Sequence, residues 1–178
     1  GITPSDCDYV VVGSSTDEMI SLGFKPVGRD FPVFLHPVSH EEYALARTER
    51  KTSVGYHGFE FYAKPDVSLI DDLSRRDLTI NAIALDDKGL IIDPFNGRED
   101  IDNKLIHHVS DSFCEDPLRI LRAARFCAQL NFTIAVSTMR LMRYISPELV
   151  YISKERLAVE LRKGISTKYP LKFLKALM

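Results

Sequence analysis

The chain of 178 residues is 45% hydrophobic and 27% charged, which suits one folded domain or a compact domain with a small helical attachment and excludes disorder, collagen and coiled coil. No apolar run approaches the ~18 residues of a membrane span and no signal peptide is visible; three cysteines without C-x-x-C spacing argue against a disulfide scaffold or zinc knuckle and for a reducing cytoplasm. The formal net charge of −2 conceals a split: residues 1–118 carry 11 Lys and Arg against 22 Asp and Glu, whereas residues 119–178 carry 12 against 3.

Tyr9-Val-Val-Val-Gly13 is a β-branched run and reads as a buried strand. Thr16 with Asp17 and Glu18 marks a helix start, and Gly23 its stop. Phe31 to His36 predicts a second strand, ended by Pro37. Over Glu42 to Glu49 the pattern alternates, with Tyr43, Leu45, Arg47 and Glu49 on one face. Lys51 to His57 reads as a polar loop and Phe59 to Ala63 as a strand. Ser68, three residues before Asp71, predicts the cap of a helix over Leu69 to Arg76. Ile83 to Ile92 reads as a hairpin turning at Asp87-Lys88-Gly89.

After about residue 110 the pattern changes. Asp116-Pro117 predicts a helix opening, Asp as N-cap and Pro at the first helical position, with Leu118, Leu121, Ala124 and Ala128 as its apolar stripe. Further helices are expected over Ser137–Tyr144, Ser153–Lys163 and Leu171–Met178, with no strand-like alternation among them. The fold class is therefore α+β: a mixed-sheet head with short helices over residues 1–110, then an all-helical neck over 111–178.

Three groups of residues carry chemistry. Asp6 and Asp8 stand before the first strand, where residues i and i+2 share a face. Two carboxylates so placed are hard oxygen ligands for Mg²⁺, which binds through one or two carboxylates plus substrate phosphates. The bland alternative is turn formation at a strand start. Two divalent ions need a further anionic ligand; Glu49, ending the alternating segment, is the positional candidate, against its reading as an exposed strand-end glutamate.

Arg75-Arg76-Asp77-Leu-Thr-Ile-Asn81 sets Asp77 and Asn81 four apart on one helical face, positioned for sugar hydroxyls, while Arg76 can neutralise a triphosphate. Adjacent arginines at a helix end can also simply complement its dipole. Asp116, Arg119, Arg122 and Arg125 step by three along one side of a helix. Three arginines with one acid suggest uncompensated positive charge, hence an anionic ligand rather than an i,i+3 salt-bridged surface.

Asp6-Cys7-Asp8, Arg75-Arg76-Asp77-Leu-Thr-Ile-Asn81-Ala, Asp93-Pro-Phe-Asn-Gly97 and Glu115-Asp116-Pro-Leu-Arg119 occur in the order and approximate spacing of the bacterial CCA-adding tRNA nucleotidyltransferases, the class that includes bacterial poly(A) polymerases. Phe31 to Pro37 and His40 to Lys51 resemble the enterobacterial type in particular, and the likeness runs from Asp6 to at least Asn131. The resemblance implies a nucleotidyltransferase-type sheet in the head and CCA addition to tRNA 3′ ends from CTP and ATP, with Mg²⁺ at Asp6 and Asp8. It implies that Arg76 contacts the nucleotide, that Asp77 and Asn81 lie near the ribose, that Asp116 and Arg119 pair with the base, and that Arg122 and Arg125 complete the site. Asp93 to Gly97 matches a segment that lets the head adjust between C and A addition; Arg156 and Glu160 match a motif that brace the neck. Cytoplasmic location and absence of membrane contact go with that role.

The family's Gly-Gly-x-Val-Arg-Asp segment precedes the paired aspartates, and only five residues precede Asp6 here; body, tail and phosphohydrolase domains do not follow the neck. The chain is expected to be the middle of a larger enzyme. A poly(A) polymerase sharing this head, or a non-catalytic nucleotide- or RNA-binding module, are the alternatives. His107-His108, with no carboxylate at helical spacing, reads as part of a strand rather than a hydrolase centre.

Overall fold

The computed structural model describes residues 7–27, 33–51 and 59–178, with the backbone alone at residues 49–51 and 59–60. Asp6, the start of the Phe31 strand and the loop over residues 52–57 lie outside the described residues. The described chain packs as two compact units, one up to residue 72 and one over residues 73–178.

The first unit begins with β1 (Tyr9–Val11), α1 (Thr16–Ser21), β2 (Lys25–Val27), β3 (Val33–Leu35) and β4 (Glu42–Leu45). The four strands form one sheet in the order β1-β4-β3-β2, mixed because β1 runs parallel to β4 while the other neighbours are antiparallel. The cap of α1 is Ser15, one residue before the expected start: its hydroxyl accepts the Glu18 N–H at 3.2 Å. β2 was not expected, since it contains Pro26; it is an edge strand, where a missing N–H removes no ladder bond. Met19, Phe34 and Leu45 make the core, with Val11, Phe24, Tyr43 and Ala63 around them.

The alternating segment is two strands, not one. β4 ends at Leu45 and β5 (Thr48–Lys51) pairs antiparallel with β6 (Phe59–Tyr62). Between them Ala46 donates its N–H to the Val11 carbonyl at 2.8 Å, and Arg47 donates its N–H to the buried Asp72 carboxylate at 3.2 Å. That second bond, to a residue 25 positions away, takes the backbone out of the first sheet. α2 (Leu69–Ser74) opens on the expected cap: Ser68 accepts the Asp71 N–H and donates its own N–H and hydroxyl to the Asp71 carboxylate.

The second unit continues with a 3₁₀ turn (Thr79–Asn81) and the hairpin β7 (Ala84–Leu85) and β8 (Ile91–Ile92). Asp86 holds that turn by accepting the N–H groups of Lys88 and Leu90, and Gly89 takes φ +81°. α3 (Gly97–Asp102), not expected, is nucleated by Asp93, whose carboxylate accepts the N–H groups of Gly97 at 2.7 Å and Arg98 at 2.9 Å. A Cβ on Gly97 would stand 2.2 Å from the Thr79 carbonyl oxygen, so only glycine fits. β9 (Leu105–Ile106) runs parallel to β10 (Thr133–Ile134), a strand too short to register as alternation. His107 and His108 follow β9, and His108 bridges to Leu78.

The helices are α4 (Arg119–Leu130), α5 (Val136–Ile145), α6 (Lys154–Ile165) and α7 (Pro170–Ala176), with 3₁₀ turns at Asp111–Glu115 and Ser146–Tyr151. The regular helix α4 begins later than expected because Asp116-Pro117-Leu118 forms a turn: the Asp116 carboxylate accepts the Leu118 N–H two residues on. α4 is buried on two faces, Ile120, Ala123 and Cys127 in one core with Leu78, Ile106 and Phe113, and Leu121, Ala124 and Ala128 in another with Phe173. No described helix is long and apolar enough to cross a membrane.

Candidate functional site

In the first unit, Asp8 stands exposed just before β1, and among the described residues its carboxylate has no hydrogen-bond or ion-pair partner. The register sets Tyr9 level with Tyr43, their rings stacked at 4.4 Å, so Glu42 is the residue level with Asp8. Glu49 stands further along, in β5 opposite Phe61; its side chain, like Asp6 as a whole, lies outside the described residues. Among the described residues no three His, Cys, Asp or Glu cluster tightly enough to hold a metal ion. An exposed, uncommitted carboxylate is nevertheless the hard oxygen donor that a divalent cation uses, so the chemistry at Asp8 fits.

The second unit gathers the other candidates. Asp77 is 6% exposed and fully engaged: one oxygen accepts the Leu78 N–H at 2.9 Å and the Asn81 amide at 3.1 Å, the other accepts Arg122 Nε at 2.6 Å. Burial by itself pushes this carboxyl up; the Arg122 guanidinium, aided by Asn81 and Arg119, outweighs it and holds Asp77 below the usual carboxylate range. Burial likewise disfavours the Arg122 cation, but Asp77 leads a set of acids that raises it. Asp77 and Asn81 thus meet as expected, though across a 3₁₀ turn rather than along an α-helix. Arg76 donates to the Asn81 carbonyl at 3.1 Å.

Along α4 the arginines are each tied to another part of the chain. Arg119, 9% exposed, donates to the carbonyls of Ser112 at 2.8 Å and Arg75 at 2.7 Å. Arg125 Nε donates to Glu160 at 2.7 Å, and its guanidinium lies 4.3 Å from the Phe126 ring centre. Asp116 accepts from Arg156 at 2.7 Å. The expectation of uncompensated charge along 119–125 is therefore corrected: Asp77 and Glu160 supply the acids from 45 and 35 residues away. Arg156 and Glu160 of α6 make the expected brace. Spacing within the helix carried no signal of these partners. A link not foreseen joins buried Thr79, which donates to Asp100 at 2.6 Å, and the partly exposed His107, 3.5 Å from the same carboxylate oxygen.

The sequence profile described as the poly(A) polymerase head domain matches residues 3–107, and that described as a probable RNA and SrmB-binding site of polymerase A matches residues 131–178. The chain is 57% identical to the multifunctional CCA protein of Aliivibrio salmonicida, over 99% of this chain and 44% of that protein. It therefore spans less than half the length of this relative. Among solved structures it superposes on the Bacillus stearothermophilus CCA-adding enzyme in complex with CTP with a TM-score of 0.80 at 30% identity, covering 97% of this chain and 42% of that one. The Thermotoga maritima CCA-adding enzyme complexed with tRNA gives 0.73 at 32% identity, over 98% and 42%. With more than half of its residues matched by the head-domain profile, the chain belongs to the poly(A) polymerase head-domain family.

Proposed function

We propose that this chain is the nucleotide-selecting head and neck of a CCA-adding tRNA nucleotidyltransferase that acts in the cytoplasm. The observation that carries the reading is 57% identity over nearly the whole chain to a multifunctional CCA protein. Likeness to a CCA-adding enzyme holding CTP supports it. A head over 1–110 and a neck over 111–178 are supported by the profiles falling on 3–107 and 131–178.

In the reaction, the 3′-hydroxyl of tRNA attacks the α-phosphorus of CTP or ATP; a phosphodiester bond forms and the bond to pyrophosphate breaks. Asp6 and Asp8 would hold Mg²⁺, with Glu49 as the further carboxylate candidate. When bound there, the ion supplies Lewis-acid polarisation and charge neutralisation for the phosphates. Arg76 faces the triphosphate, and Asp77 with Asn81 the ribose; Arg122 and Arg125 complete the site as cations whose own acids keep them in place.

Base choice falls to Asp116 and Arg119. Cytosine and adenine both present an amino donor beside a ring-nitrogen acceptor on their pairing edge, whereas uracil and guanine present the reverse. A carboxylate acceptor next to a guanidinium donor therefore suits C and A and refuses U and G without a nucleic-acid template. Arg156 fixes one Asp116 oxygen, and the Ser112 and Arg75 carbonyls fix Arg119, so neither side chain must be ordered when the nucleotide enters.

The test is incorporation by the full-length protein on tRNA lacking CCA. CTP alone should add two residues and ATP a third; ATP-only tailing points instead to poly(A) synthesis, and no incorporation to a binding module. The Asp6→Ala/Asp8→Ala variant should lose incorporation while keeping its fold, and retained activity overturns the metal assignment.

A further inference from the structure

We propose that Ser137, His107 and Asp100 form a second catalytic site, an acyl-transfer triad that hydrolyses esters of small carboxylic acids. The proposed nucleotide site uses none of these three residues. His107 Nε2 lies 3.1 Å from the Ser137 hydroxyl, and His107 Nδ1 lies 3.5 Å from an Asp100 carboxylate oxygen. A proton on Nδ1, towards the carboxylate, leaves Nε2 to accept the serine proton. Each member comes from a different part of the second unit, and the backbone sets all three. The parallel pairing of β9 with β10 continues past the strands: Ala135 donates its N–H to the Ile106 carbonyl at 3.0 Å, and His108 donates its N–H to the buried Thr138 hydroxyl at 3.0 Å. His107 and Ser137 stand between these two bonds and are thereby brought side by side. Thr79 secures the acid: its hydroxyl donates to the same Asp100 oxygen at 2.6 Å and its N–H to the His107 carbonyl at 2.9 Å.

Ser137 is the second residue of α5, a ten-residue helix that opens on Ala135 without a side-chain cap. The N–H groups of a helix's first turn have no acceptor within the helix, and beside a nucleophile they are the donors for an oxygen on which negative charge develops. The Ser137 hydroxyl attacks the ester carbonyl carbon, and its proton passes to His107 Nε2. The tetrahedral oxyanion collapses, the bond to the alcohol oxygen breaks, and His107 returns the proton to the departing alkoxide. Water then attacks the acyl-serine through the same histidine, which releases the carboxylic acid and restores the hydroxyl. Ser137 is exposed and the His107 side chain is 40% exposed, against 11% for Asp100. The acid is thus enclosed and the nucleophile open, a distribution that admits substrate from solvent. Val136, next to Ser137 and 70% exposed, offers apolar surface to a short acyl chain, so acetyl-sized esters are the class that fits.

The test treats the full-length protein with a fluorophosphonate probe and follows its hydrolysis of p-nitrophenyl acetate alongside. Peptide mass spectrometry should place the phosphonyl group on Ser137, and Ser137→Ala should remove both the label and the ester hydrolysis. His107→Gln should slow labelling by about 100-fold, the lower end of what a general base contributes. Asp100→Asn should lower kcat on the ester by about tenfold with KM unchanged, because Asp100 acts through the orientation of the imidazole rather than on the substrate. An unlabelled Ser137 in the unaltered protein overturns the proposal. So does ester hydrolysis that survives in Ser137→Ala, the result expected of exposed imidazoles acting without a nucleophilic serine. Labelling as fast in His107→Gln as in the parent overturns the assignment of the base, and an unchanged kcat in Asp100→Asn that of the orienting acid. Nucleotide incorporation by Ser137→Ala should match the parent, so failure of the triad and failure of the proposed function are read separately.

Discussion

α4 and α5 are successive amphipathic helices, each with arginines at three-residue intervals, and they use those arginines in opposite ways. On α4, Arg122 and Arg125 end on the carboxylates of Asp77 and Glu160 at 2.6 and 2.7 Å, and Arg119 ends on two backbone carbonyls. On α5, Arg140 and Arg143 reach solvent with no carboxylate partner among the described residues. A guanidinium that leaves water needs its charge and its N–H donors met inside the protein, and one that stays hydrated does not. The first kind is part of the fold even where it also faces a ligand, and the second can be changed at little cost to the fold.

Removing a partner from the buried pair breaks the comparison most severely. Arg125 and Glu160 have side-chain exposures of 11% and 7%. Glu160→Ala leaves a cation enclosed without its carboxylate, and the expected loss is about 3–5 kcal/mol in a urea-unfolding experiment. Contact with the Phe126 ring shelters the guanidinium in part and favours the lower end. Exchanging both residues for methionine should recover most of the loss, because no charge then remains to be met. A single-variant cost under about 1 kcal/mol would mean that the pair contributes no more than a surface bridge.

The Asp77–Arg122 pair is less enclosed, Arg122 being 35% exposed, and solvent screening reduces its worth. Asp77→Asn should cost about 1–2 kcal/mol at neutral pH. Its sign with pH is fixed by the direction of the shift. Asp77 titrates below its unfolded value of 3.8, so the folded state prefers the ionised form; the stabilisation is complete above that value and lost as pH falls through the folded one. The gap in urea midpoint between parent and Asp77→Asn should therefore be constant from pH 7 to about 5 and close below about 4. A gap that widens on acidification contradicts the assignment of Arg122 as the dominant opposing charge.

What could be read in the sequence divides along the same line. Ser68 with Asp71, Ser153 at the start of α6 and the turn at Asp87 to Gly89 were legible because donor and acceptor sit within four residues of each other. The break after Leu45 was not, since it depends on Asp72 receiving the Arg47 N–H. β2, α3 and β10 are too short to establish a period, and each is held by pairing or by one carboxylate rather than by pattern. Among the candidate residues, the closeness of Asp77 and Asn81 followed from spacing although the local geometry differs. The partners of Arg122 and Arg125 did not follow from it, because the acids that meet them lie 45 and 35 residues away in the chain.

The smallest expected effect concerns the stability of α5. If Arg140 and Arg143 were holding the fold through contacts made elsewhere, neutralising both would destabilise the protein as Glu160→Ala does. Their exposure and lack of partners argue otherwise: Arg140→Gln/Arg143→Gln removes no ion pair, retains most of the aliphatic stem, and substitutes a comparable helix former. Relief of the i,i+3 repulsion offsets what little packing is lost. The urea midpoint should shift by no more than the equivalent of about 0.5 kcal/mol in either direction. A larger loss would place these arginines with those of α4, as parts of the fold rather than of a surface kept open.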